Sequence, residues 1–125
     1  MKVTPRPKAG NKKPGRSLLR TADELCGRIV RARGVCQNCH ATTDLQWAHG
    51  FSRSYRSIRH DLRNGFCLCR ACHMRYTHRP LEWDDWLHEA WGDALYVEMR
   101  DLALRGQRAD LKATVARLRV LADSL

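Results

Sequence analysis

A chain of 125 residues suits one domain with a tail, and its 43% hydrophobic content is enough for a small core that a bound metal would help to hold. The formal net charge of +10, from 23 Lys and Arg against 13 Asp and Glu, points to a polyanionic partner, nucleic acid first, with charge kept for solubility as the bland alternative. No apolar run approaches the roughly 18 residues of a membrane span, and the basic N-terminus leads into no apolar signal core, so the expectation is an intracellular protein with no membrane partner.

Residues 1–16 carry Lys2, Arg6, Lys8, Lys12, Lys13 and Arg16, no acid, and prolines and glycines that interrupt regular structure. They read as a disordered basic arm able to neutralise phosphates without specifying sequence, with Lys12 and Lys13 as DNA contacts. Thr21-Ala-Asp-Glu24 has the form of a capping box, with the helix beginning there or as early as Ser17. Leu18, Ala22, Leu25, Cys26, Ile29 and Val30 form its apolar face, and Gly34 supplies its stop.

Six cysteines follow, four of them in two CxxC pairs, Cys36-Gln-Asn-Cys39 and Cys69-Arg-Ala-Cys72. Each pair places two thiolates on one tight turn, and two pairs make a closed tetrahedral zinc site that folds protein and does not catalyse. Cys26 and Cys67 are left over as core thiols. Thioredoxin-like redox chemistry would need a CxxC opening a helix in a βαβ unit, and that pattern is missing.

Between the pairs, residues 45–51 alternate loosely as a strand, residues 52–63 form a loop with Arg53, Arg56, Arg59 and Arg63, and Gly65-Phe-Cys-Leu68 returns as the second strand of a hairpin. A helix from about Arg70 must stop before Pro80, because the ring pushes Arg79 out of the helical region. The remainder is helical: Leu81 to Trp91, then a helix capped by Asp93, then one capped by Asp110 with Leu111, Val115, Leu118, Leu121 and Ala122 on one stripe. That stripe fits packing onto the domain, or a homodimer through the C-terminal helices. The tryptophans read as core residues. The division expected is a basic arm over 1–16, a zinc core with its N-terminal helix over 17–80, and a helical extension over 81–125, in an α+β fold.

His49, Asn64 and His73 stand as His-x14-Asn-x8-His inside the zinc unit. With the two CxxC pairs, Ala48-His49, Asn64-Gly-Phe-Cys-Leu-Cys69 and Arg70-Ala-Cys72-His73, the chain over roughly 35–80 resembles the HNH endonuclease family. That family's ββα-metal, treble-clef-like unit is often stapled by two CxxC pairs. His49-Gly-Phe-Ser-Arg53 with Arg59-His-Asp-Leu-Arg-Asn64 is also similar to phage-borne members, including NinG/Rap-like recombination nucleases. The resemblance implies a metal-dependent DNA endonuclease in the cytoplasm of a bacterial host cell, serving recombination, packaging or DNA processing.

By the same resemblance, His49 is the general base, Asn64 fixes the hairpin and orients the His49 ring, and His73 binds a catalytic divalent ion (Mg²⁺, Mn²⁺ or Ni²⁺). Arg53, Arg56, Arg59 and Arg63 hold the DNA backbone. The family's usual second ligand, the residue before the base, is here Ala48. His78, Asp61, Asp44 or substrate phosphate is left to complete the shell, or the site is inactive. The reading from another class is a non-catalytic zinc module that binds nucleic acid.

Overall fold

The computed structural model describes residues 14–125, with side chains from Ser17 onward. The expected basic arm, with Lys12 and Lys13, lies outside the described residues apart from its last three positions. Those three are helical: α1 runs Pro14–Arg31, so the helix begins before Thr21. Proline suits the first helical position, where its missing N–H costs nothing. Thr21 therefore sits inside the helix, its Oγ1 donating to the Ser17 carbonyl at 3.0 Å, and the expected capping box does not cap. Gly34 ends the segment at φ +83°, a conformation that favours glycine.

Among the described residues the fold is α+β, with five helices and a two-stranded antiparallel sheet. Strand β1 (Leu45–His49) pairs with β2 (Gly65–Cys69), Leu45 opposite Cys69 and His49 opposite Gly65. A single 3-10 turn, Leu62–Asn64, leads into β2. Helix α2 (Arg70–Thr77) follows β2 directly, and Pro80 opens α3 (Pro80–Trp91). Helices α4 (Asp93–Arg105) and α5 (Leu111–Asp123) complete the chain. Asp110 caps α5 as its sequence predicts, accepting from the Lys112 and Ala113 amides at 3.0 and 3.3 Å. Asp93 does not cap α4; it is the first helical residue, and Gly92 holds the cap position.

The hairpin separates two cores, because successive side chains of a strand face opposite ways. On one face Trp47 and Cys67 pack against Ala22, Leu25, Cys26 and Val30 of α1 and Val115, Leu118 and Ala122 of α5. On the other, Ala48, Phe66 and Leu68 pack with Cys36, Cys69, Cys72 and Leu87, and with the α3 tryptophans. Segment 81–125 thus supplies side chains to both cores. Most of the α5 stripe lies against α1, while Leu121 stays 41% exposed. Burial pushes the Cys26 thiol up to about 12 and raises Cys67 too, as suits apolar core positions. No described helix is long and apolar enough to cross a membrane.

Candidate metal centre and adjoining cavity

The two CxxC turns meet. Four Sγ atoms, of Cys36, Cys39, Cys69 and Cys72, lie within 4.8 Å of one another, close enough to hold a metal ion such as zinc. A tetrahedral ion with thiolates at about 2.3 Å needs sulfurs about 3.8 Å apart, and Cys39 and Cys69 stand at 3.6 Å. Backbone amides of Asn38 and Cys39 point at Cys36 Sγ at 3.4 Å, and that of Cys72 at Cys69 Sγ at 3.5 Å. Burial alone would raise the Cys36 thiol; amide donation, from Cys39 foremost, outweighs it and brings the group down to about 6. Burial pushes Cys72 up to about 12. His40 takes a positive φ of 67° just after the first turn, and the four sulfurs close the site without it.

Asn38 extends the centre outward. Its Nδ2 donates to Cys72 Sγ at 3.2 Å, and its Oδ1 accepts from Tyr76 Oη at 3.1 Å and Trp86 Nε1 at 3.2 Å. The other two tryptophans of α3 are used in the same way. Trp83 Nε1 donates to the Gly50 carbonyl at 2.8 Å, next to His49, and Trp91 Nε1 donates to the Arg63 carbonyl at 3.0 Å, next to Asn64. Around Phe66 these rings pack edge-on or tilted, with Trp83 stacked on Trp86 at 4.9 Å. The aromatic helix is core, and each indole N–H also tethers a segment of the candidate site.

A cavity of about 550 Å³ opens at the end of the hairpin, lined among others by Ala48, His49, Arg53, His73, Tyr76 and Trp83. Two of the three residues of the His-Asn-His pattern therefore share one cavity. His73 projects from α2, its Nδ1 2.8 Å from Gln46 Oε1. With that oxygen accepting, the proton sits on Nδ1 and the lone pair on Nε2 is free for a ligand. Burial lowers the His73 pKa. A second cavity of about 210 Å³ lies across His73, lined by Gln46, Arg70, Met74, Thr77 and His78.

His49 ends β1 with its ring 4.2 Å from that of Trp47 and its Nε2 buried without a hydrogen-bond partner. Burial, then the charge of Arg59, brings its pKa down to about 4. The ring is therefore neutral at pH 7, and protonating it works against the fold. Its folded pKa lies below the unfolded value of about 6.5, so its contribution to stability is complete above that value and is lost as the pH falls towards 4. Burial lowers His60 and His73 in the same sense. Urea unfolding at pH 7 and pH 5 is expected to show a loss of about 1–2 kcal/mol from His49 after allowance for solvent screening. The His49→Asn variant should decline less steeply over the same interval.

The third residue of the pattern sits elsewhere. Asn64 is fully buried; its Oδ1 accepts from the Phe51 amide at 2.7 Å and its Nδ2 donates to the Phe51 and Ile58 carbonyls at 3.0 and 3.4 Å. It clamps the loop that follows β1 and does not bond to the His49 ring, contrary to the expected orienting role. Gly50 completes the clamp, because a Cβ there would come within 2.8 Å of both Asn64 Oδ1 and the Trp91 ring. Replacing Asn64 by alanine strands the Phe51 amide and should cost about 3 kcal/mol. Thermal melts check this, and an unchanged midpoint would show that the clamp does not hold the loop.

The arginines expected to hold DNA divide. Arg53 lines the larger cavity, whereas Arg59 forms a two-point ion pair with Asp23, Nη2 to Oδ2 at 2.7 Å and Nε to Oδ1 at 3.0 Å. His60 is only 4% exposed and bonds Asp23 at 2.7 Å. Burial would raise the Asp23 carboxyl, but Arg59 and His60 hold it below the usual range. Arg63 is drawn to Asp61 at 2.7 Å and Glu98 at 3.5 Å. That pairing occupies Asp61, and neither Asp61 nor Asp44 lines either cavity, although the Asp44 carbonyl accepts from the Arg70 amide at 2.9 Å. Neither carboxylate is brought to His73; of the candidates to complete its shell, His78 alone shares a cavity with it. Arg56 is half-buried and lines neither cavity.

Sequence reasoning missed Asp23, Gln46 and Asn38. Asp23 had a signal, as one of only two acids before residue 44, adjoining the apolar face of α1. Gln46 had one too, being a polar residue two positions from Ala48 on the same strand face. Comparison with protein-family models, with curated proteins and with solved structures finds no match to this chain.

Proposed function

We propose that the chain is a metal-dependent DNA endonuclease of the HNH type, in which a four-cysteine zinc holds a ββα unit and phosphodiester hydrolysis takes place in the cavity between His49 and His73. The observation that carries this reading is the pair itself: two histidines line one cavity beside Arg53, His49 with its Nε2 buried and unpartnered and His73 with an Nε2 lone pair that the Gln46 bond leaves free. The four sulfurs fit zinc by number, kind and spacing.

His49, deprotonated throughout the physiological range, has the form a general base needs to take a proton from water. His73 Nε2, aimed by the Gln46 bond, would hold the divalent ion as its one protein ligand. Water and phosphate oxygens would supply the remaining positions, in keeping with the oxygen preference of Mg²⁺ and Mn²⁺. When bound, that ion neutralises charge on the phosphate. Arg53 adds a fixed positive charge at the cavity wall. The indole of Trp83 and Asn64 hold the backbone immediately after His49, at Gly50 and Phe51, so that its ring does not wander.

The test is incubation of supercoiled plasmid with the protein and Mg²⁺, Mn²⁺ or Ni²⁺. Conversion to nicked or linear DNA is expected. Retention of DNA without a cut under every ion would favour the non-catalytic zinc module.

A further inference from the structure

The two cavities on the α2 face adjoin, with His73 and Thr77 in the lining of both, and together they offer a groove across the helix beside the candidate active site. Arg53 lines the larger cavity, and Arg70 with His78 lines the smaller. Among the described residues, no Asp or Glu lines either cavity, and neither Arg53 nor Arg70 makes an ion pair. By contrast, Arg59 and Arg63 of the arginine loop spend their charge on Asp23, Asp61 and Glu98. A guanidinium already matched by a carboxylate releases few counterions when DNA arrives; an unmatched one in an acid-free groove has that energy to give.

We propose that the DNA backbone is held along this groove, with Arg53 on a phosphate to one side of His73 and Arg70, assisted by His78, on phosphates to the other side. The backbone contact thus lies across α2 rather than along the arginine loop. This placement rests on the nuclease reading for its occupant, but it is measured by binding and not by cleavage.

Fluorescence anisotropy of a labelled duplex oligonucleotide, with no catalytic ion added, gives the dissociation constant across a salt series. Arg53→Gln and Arg70→Gln should each weaken binding at every sequence and reduce the slope of log K against log salt by about 0.9. Arg70→Lys should restore the slope. Arg119→Gln, an equal loss of charge on the exposed face of α5, controls for net charge and should leave it unchanged. A wild-type slope in Arg70→Gln, or an equal drop in Arg119→Gln, would overturn the groove. Cleavage of plasmid by the wild type is read separately, so a protein that binds along the groove and never cuts would retain this inference while losing the nuclease.

Discussion

Replacing Cys36 or Cys72 by serine, or stripping the ion with a chelator, is expected to unfold the half of the molecule that carries the candidate site. Both thiols are buried in the core that holds Ala48, Phe66, Leu68 and Leu87, and the four sulfurs tie the first CxxC turn to the end of β2 and the start of α2. Without an ion, that core would have to keep four sulfur atoms together at the expense of packing. A structural zinc contributes on the order of 10–16 kcal/mol of apparent binding energy in small domains, against a total stability of about 5–15 kcal/mol. The tryptophan cluster reports the outcome, since Trp83 and Trp86 pack on Phe66 and Trp86 bonds to Asn38 beside Cys72. Near-UV circular dichroism should collapse, while far-UV signal from the α1–α5 pair is partly retained, because that core lies on the other face of the hairpin. Metal analysis should give one zinc per chain for the wild type. A wild type without zinc, or a Cys72→Ser variant with an unchanged melting midpoint, would contradict the role given to the cysteines.

His49→Ala should lower the rate of DNA cleavage by about 10²–10⁴-fold, the usual contribution of a positioned base, while leaving the dissociation constant for DNA within about twofold. The ring makes no hydrogen bond through Nε2 and carries no charge at pH 7, so removing it takes nothing from phosphate binding. It does remove contact with Trp47, and a modest fall in stability is expected alongside. Single-turnover rates measured well below the melting midpoint separate the two effects. Parallel loss of binding and cleavage would make His49 a structural residue.

Much of the fold was legible along the chain because its determinants are local. The CxxC spacing, the glycine at 34, the aspartate at 110 and the proline at 80 each act within a few residues, and each stands where its chemistry requires. The Thr21 box misled because a favourable proline farther upstream lets the helix start earlier than the cap signal. The site was less legible, since its supports join residues far apart. Arg59 and His60 meet Asp23 from more than thirty residues away, and no periodicity in the loop distinguishes them from Arg53. The indole N–H bonds of Trp83, Trp86 and Trp91 are equally hidden, because spacing on a helix reveals which side is apolar and not what an edge atom will donate to. Ala48, standing where the resemblance implies a second ligand, signalled that the ligand set of the proposed ion would be unusual. The structure adds the partner that aims His73, Gln46, from the same strand face.

Hydrolysis in the cavity between His49 and His73 is tested most directly by single-turnover cleavage of plasmid DNA over a Mn²⁺ titration, wild type beside His73→Ala. The wild type should cut with a rate that saturates in Mn²⁺, and His73→Ala should be at least about 100-fold slower at the same ion concentration, with its zinc and DNA affinity kept. Intact plasmid with the wild type under every ion, or wild-type rates in His73→Ala, would contradict hydrolysis at this site.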